Sequence, residues 1–126
     1  MKFIALAAAA AAFAISASAA QADDLFAVAY GNTVTQTMPD GSKTVIYVNA
    51  DKTWEQHRSD GTVMKGTYDW KDDHTACFTL VDPAPKDPSK ATNCNTIEGN
   101  HKVGDTWTEQ LPNNAGAITM SITAGR

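Results

Sequence analysis

From Asn32 onward the chain alternates polar and apolar residues in short runs, with no helical period. Met64, Gly66, Tyr68 and Trp70 share one side of the run 62–70, and Ala76, Phe78 and Leu80 share one side of 75–81. In the last run Ile118, Met120 and Ile122 oppose Thr119, Ser121 and Thr123. A period of two is that of a strand with one buried face. Turn signals recur about every ten residues: Pro39-Asp40-Gly41-Ser42, Asn49-Ala50-Asp51-Lys52, Ser59-Asp60-Gly61-Thr62 and Lys71-Asp72-Asp73-His74. Strands separated in this way predict a series of antiparallel hairpins.

Eight strands are predicted, over 33–38, 43–48, 53–58, 62–70, 75–81, 92–97, 105–111 and 117–124. A short helical turn is expected within 23–30, where Leu25, Phe26 and Val28 form a small apolar face. Residues 82–91 contain Pro83, Pro85 and Pro88 and read as a rim loop, because proline cannot donate to a ladder. Residues 99–104 form a second loop. Asp40-Gly41 and Asp60-Gly61 lie twenty residues apart, which suggests either a hairpin repeat or a coincidence of two similar turns. Trp54, Trp107, Leu111, Val34 and Met38 fit the same one-sided scheme. A strand series with one apolar face needs a second sheet or closure on itself. The short links favour an all-β, eight-stranded antiparallel up-and-down meander, closed or nearly closed into a barrel. Such a barrel is filled by side chains or holds one small ligand. Gly66, inside a strand, marks a bend or a close backbone approach.

The N-terminus reads differently. Lys2 precedes an apolar stretch that includes six consecutive alanines, Ala7 to Ala12, and small residues lead to Ala20-Gln21-Ala22. This is the order of a secretory signal peptide over 1–22, leaving 23–126 as one β-barrel domain. The stretch is short for a membrane span, and no other segment is apolar enough. The expected location is therefore periplasmic or secreted.

Removing Lys2 leaves nine basic and fourteen acidic residues, a net charge of −5. A nucleic-acid binder would carry a basic face instead. Cys77 and Cys94 are the only cysteines, and in an exported chain they are expected to form one disulfide. There is no C-x-x-C, and no His at finger-like spacing, to favour a metal pair.

Candidate chemistry is sparse. His57 reads as an exposed strand residue opposite Trp54, and His101 as an exposed loop residue. His74 lies beside Asp72 and Asp73, without the ligand count of a calcium loop. No G-x-S-x-G, phosphate cradle or basic patch occurs. No catalytic residue, metal site or cofactor is therefore assigned, and the expected role is non-enzymatic. Trp54, Tyr68, Trp70 and Trp107 are the candidate ligand-binding residues, since Trp and Tyr combine apolar area with a polar tip. Core filling is the competing role for these four. Gln56 and Arg58 share the face of Trp54, so Arg58 needs an acidic partner or an anionic ligand if interior, unless it reaches the rim.

The phrase Gly66-Thr67-Tyr68-Asp69-Trp70, following Asp60-Gly61-Thr62, resembles hairpins of small bacterial lipocalin-like domains. The mature chain also resembles uncharacterised small secreted β-domain proteins of alphaproteobacteria. In those, similar hairpins precede a cysteine pair and a segment like Lys102-Val103-Gly104-Asp105-Thr106-Trp107. The resemblance implies a lipocalin-like barrel and no catalytic residue. Two roles follow as expectations. The first is binding of a small apolar or aromatic molecule. The second is inhibition of an envelope hydrolase, a lysozyme or a protease, by loops on a rigid acidic scaffold.

Overall fold

The structure, a computed structural model, describes residues 24–126. The signal peptide expected over 1–22 lies outside the described residues. The strands are β1 (Thr33–Thr37), β2 (Lys43–Val48), β3 (Thr53–Arg58), β4 (Val63–Trp70), β5 (Thr75–Asp82), β6 (Thr92–Thr96), β7 (Thr106–Gln110) and β8 (Ala117–Thr123). Each expected strand is present, with its ends displaced by at most one residue. Every ladder is antiparallel, and the order across the sheet is β6-β5-β4-β3-β2-β1-β8-β7. The expected helical turn is a 3-10 turn, Ala27–Ala29.

Strands β1 to β6 form a meander. The chain then crosses to the far side, where β8 pairs with β1 and β7 with β8. Among the described residues no ladder joins β6 to β7. The sheet is thus a curled half-barrel with a seam between two polar edge strands, Thr-Asn-Cys-Asn-Thr and Thr-Trp-Thr-Glu-Gln.

Three of the hairpins share one turn. In Met38–Ser42 the Met38 N–H donates to the Ser42 carbonyl and the Gly41 N–H to the Met38 carbonyl. Asn49–Thr53 and Arg58–Thr62 repeat both bonds. This is a type I turn followed by one left-handed residue, a common three-residue hairpin. Gly41 (φ 85°) and Gly61 (φ 86°) occupy the left-handed position without steric cost, whereas Lys52 (φ 67°) accepts it. In each turn an aspartate, Asp40, Asp51 or Asp60, accepts the N–H of the residue two further on, and Asp72 does the same for His74.

These bonds favour the ionised carboxylate. Hydrogen bonds from Ser42, Thr53 and Thr62, side chain first and then backbone, hold Asp40, Asp51 and Asp60 below the ordinary value. The His74 backbone N–H does so first at Asp72. A carboxyl whose folded pKa is depressed stabilises the fold above its unfolded pKa, about 4, and loses that contribution as pH falls through its folded value. Urea midpoints are therefore expected to be level from pH 7 to about 5 and to drop between about pH 4 and 2. A midpoint unchanged down to pH 2 would contradict the turn geometry.

Cys77 and Cys94 lie directly opposite each other on β5 and β6 and are bonded. Ala76 and Phe78 face inward, so the bond sits on the outer face and ties the edge strand β6 to the sheet. Between them β5 ends at Asp82, and a 3-10 turn, Pro88–Lys90, follows the proline-rich loop. The Leu80 N–H donates to the Ala91 carbonyl at the base of the loop, 2.9 Å away. Cross-linking residues separated by 17 positions stabilises by about 3 kcal/mol in the loop-entropy account. The double variant Cys77→Ser, Cys94→Ser is expected to lose about that much by urea denaturation. Its hydrogen exchange should rise first in β6, since that edge has one neighbour only.

Candidate functional site

The register places the inward side chains in rows. Val34 pairs with Ile46 and Ile122, Ile46 with Gln56, and Gln56 with Met64. Deeper, Val48 pairs with Trp54, Trp54 with Gly66, and Gly66 with Leu80. Nearer the rim, Gln36 pairs with Met120 and Thr44, and Thr44 with Arg58. Alternation along each strand thus turns local periodicity into a three-dimensional wall.

The N-terminal segment closes one end. Phe26 is 8% exposed. Its ring meets Tyr68 edge-on at 5.1 Å, Trp70 at 4.6 Å and Phe78 at 5.7 Å between centroids. Ala29 is buried beside it. The Tyr68 hydroxyl donates to the Asn49 carbonyl at 2.7 Å and lies 3.2 Å from the Tyr30 hydroxyl, which also bonds Asp24. Burial first, then the Asp24 and Tyr68 bonds, push the Tyr30 phenol above its ordinary value, and burial does the same for Tyr68. Both hydroxyls therefore act as neutral structural donors at physiological pH.

Above the floor a cavity of about 950 Å3 remains inside the curl. Its apolar wall comes from every strand but β6 and includes Val34, Ile46, Trp54, Phe78, Leu80 and Ile122. Strand β6 supplies Asn93 and Asn95 instead. At the rim opposite the floor, Arg58, Lys90 and Gln110 are exposed, so water reaches the cavity there.

The four candidate aromatic residues divide into two pairs. Trp54 and Trp107 line the cavity. Tyr68, only 2% exposed, and Trp70 pack with Phe26 in the floor and are outside the lining set. Trp54 packs against Gly66 and donates its indole N–H to the Thr67 carbonyl at 2.9 Å. Trp107 stands at the seam, where its N–H reaches the Glu109 carboxylate at 3.1 Å and its face stacks on His101 at 3.5 Å. His101, expected to be exposed, is instead half-buried, with its Nε2 enclosed and unpartnered. The Trp107 ring removes it from water.

Three contributions were not assigned from sequence: the Phe26 floor, the Asn93/Asn95 pair and the His101 stack. The second was accessible. Cys77 is an outward residue because Ala76 and Phe78 face in, so its bonded partner Cys94 faces out and both neighbouring asparagines face in. No such parity rule applies to the N-terminal turn or to the 99–104 loop.

Among the described residues no group of three or more His, Cys, Asp or Glu side chains is placed to hold a metal ion. Asp72, beside His74, spends one carboxylate oxygen on that residue's backbone N–H. No helix among the described residues is long and apolar enough to cross a membrane. The chain matches no family model and no curated protein.

Proposed function

We propose that this is an exported, non-enzymatic domain that binds a small molecule inside a lipocalin-like barrel. The observation that carries this reading is the 950 Å3 cavity, closed at one end by Phe26 and walled by apolar residues. That volume lies within the range of roughly 300–1,000 Å3 usual for ligand pockets. A molecule seated against Trp54 and Leu80 exchanges apolar area for water, at about 25 cal/mol per Å2 removed. Trp107 and the polar Asn93 and Asn95 stand along the β6–β7 seam, where an occupant would bring the two edges together into a nearly closed barrel. The bonded cysteines agree with an oxidising compartment, the periplasm or the exterior. Inhibition of a hydrolase would use the exposed loop between Asp82 and Ala91. It leaves the cavity without a role, so small-molecule binding is the preferred reading.

Native mass spectrometry of protein recovered from its own periplasm tests the proposal. A retained mass of a few hundred daltons, lost on partial unfolding, is the expected result. Recovery of the bare chain together with a hydrolase whose activity it suppresses would replace this reading by the inhibitor one.

A further inference from the structure

We propose that the ligand is an amphipathic anion, with a single anionic head at the rim row of Gln36, Thr44 and Arg58 and an apolar body directed toward Trp54. This rests on the small-molecule reading above and names the chemistry of the same cavity. Arg58 lines the cavity, yet the ion pairs of the described residues are Lys52–Asp69, His57–Glu55 and Lys65–Glu55, all made elsewhere. Its charge contributes to the lowered pKa of Asp60, in the hairpin turn beyond it, where the Thr62 hydrogen bonds are the larger cause. An exposed guanidinium at the mouth of the cavity, with no bonded carboxylate among the described residues, leaves its donors free for an acceptor brought from outside.

The neighbouring groups are also donors. Gln36 and Arg58 flank Thr44 on adjacent strands, and Gln56 lies on the same face of β3 one inward position below Arg58. Adjacent strands stand about 4.8 Å apart, so Gln36 and Arg58 span roughly the width of one carboxylate with its hydrogen-bond partners. Lys90 adds a second cation at this rim. The lining also holds three carboxylates. Asp24 and Glu98 adjoin the N-terminal turn at the floor end, where Asp24 accepts the Phe26 N–H and the Tyr30 hydroxyl and Gly99 lies against Leu25. Glu109 lies on the seam strand and accepts the Trp107 N–H. Beneath the donors the wall is Ile46, Val34 and Met64, then Val48, Trp54 and Leu80. Across β1 to β5 the wall is polar in the rim row and, Gln56 apart, apolar beneath it, which matches a head and a tail rather than a uniformly apolar molecule.

The test compares dodecanoate, dodecanol and dodecylammonium, each below its aggregation limit, by isothermal titration calorimetry on the mature chain. Dodecanoate is expected to bind at least about ten-fold more tightly than dodecanol, because a hydrogen bond to a charged group is worth more than one between neutral groups. Arg58→Gln should reduce dodecanoate to the dodecanol affinity and leave dodecanol unchanged. Lys43→Gln removes the same charge from the outer face of β2 and should change neither. Thermal midpoints of both variants verify that they fold. Equal binding of dodecanoate and dodecanol, preference for dodecylammonium, or an Arg58→Gln variant with undiminished dodecanoate affinity overturns the anion assignment alone. No binding of any probe overturns the cavity reading with it.

Discussion

Gly66→Ala is expected to be the most damaging single substitution in the sheet, costing about 3 kcal/mol or more or preventing folding. A methyl group at this position would stand 1.9 Å from the Thr79 carbonyl oxygen and 2.6 Å from the Trp54 ring. The ring could tilt; the carbonyl belongs to the adjacent strand and cannot move without parting β4 from β5. The site coincides with a register shift, where Lys65 faces Asp82 while Gly66 faces Leu80, leaving Val81 as the extra residue. Bulges of this kind increase local twist and bend the strand. Here the bend turns β5 and β6 toward the curl, and the missing side chain lets the Trp54 indole lie against the strand as part of the cavity wall. Urea denaturation gives the cost, and near-ultraviolet circular dichroism reports the indole. A variant within 0.5 kcal/mol of wild type would show that the two strands are farther apart at Gly66 than described.

Phe26→Ala is expected to cost about 3–5 kcal/mol, the range for truncating a buried aromatic residue. The side chain touches three other rings and has little room to be replaced by their collapse, since Tyr68 is held by the Asn49 carbonyl and Trp70 by its strand. The same change opens the floor of the cavity to water. Increased binding of a hydrophobic dye at temperatures well below the melting transition is therefore expected beside the stability loss. Phe26→Leu should restore most of the stability. A Phe26→Ala protein with unchanged melting temperature and no added dye binding would show that the N-terminal turn is not the floor.

These two residues also mark how far the sequence could be read. Gly66 was recognisable as exceptional because it interrupts a strand with a clear period of two, and the reading of a bend or close approach is what the bulge provides. Phe26 was recognisable as apolar and part of a short turn, but nothing local states where that turn docks. Trp54 and Trp107 reached the cavity and Tyr68 and Trp70 the floor, although all four are aromatic residues on inward strand positions. Their alternation specifies a face. Depth along the barrel axis depends on the stagger of each strand against the next, and so on contacts between residues far apart in the chain.

What the amino-acid sequence determined by itself was therefore the set of eight strands, the inward side of those with an apolar alternation and the repeated aspartate turns. The cysteine pairing followed from there being only two cysteines in a chain whose N-terminus reads as an export signal. Each of these depends on neighbours within a few residues or on a choice with one outcome. Only the tertiary structure decided that β8 returns to β1, that β6 and β7 do not pair with each other, that Phe26 fills one end and that Arg58 stands exposed at the cavity rim with no ion-pair partner among the described residues. Those features come from the accumulated twist and coil of the whole sheet and from side chains brought together across most of the chain length. No single hairpin contains that information, because the energy that selects the arrangement appears only when the sheet has curled far enough for its two ends to share a core.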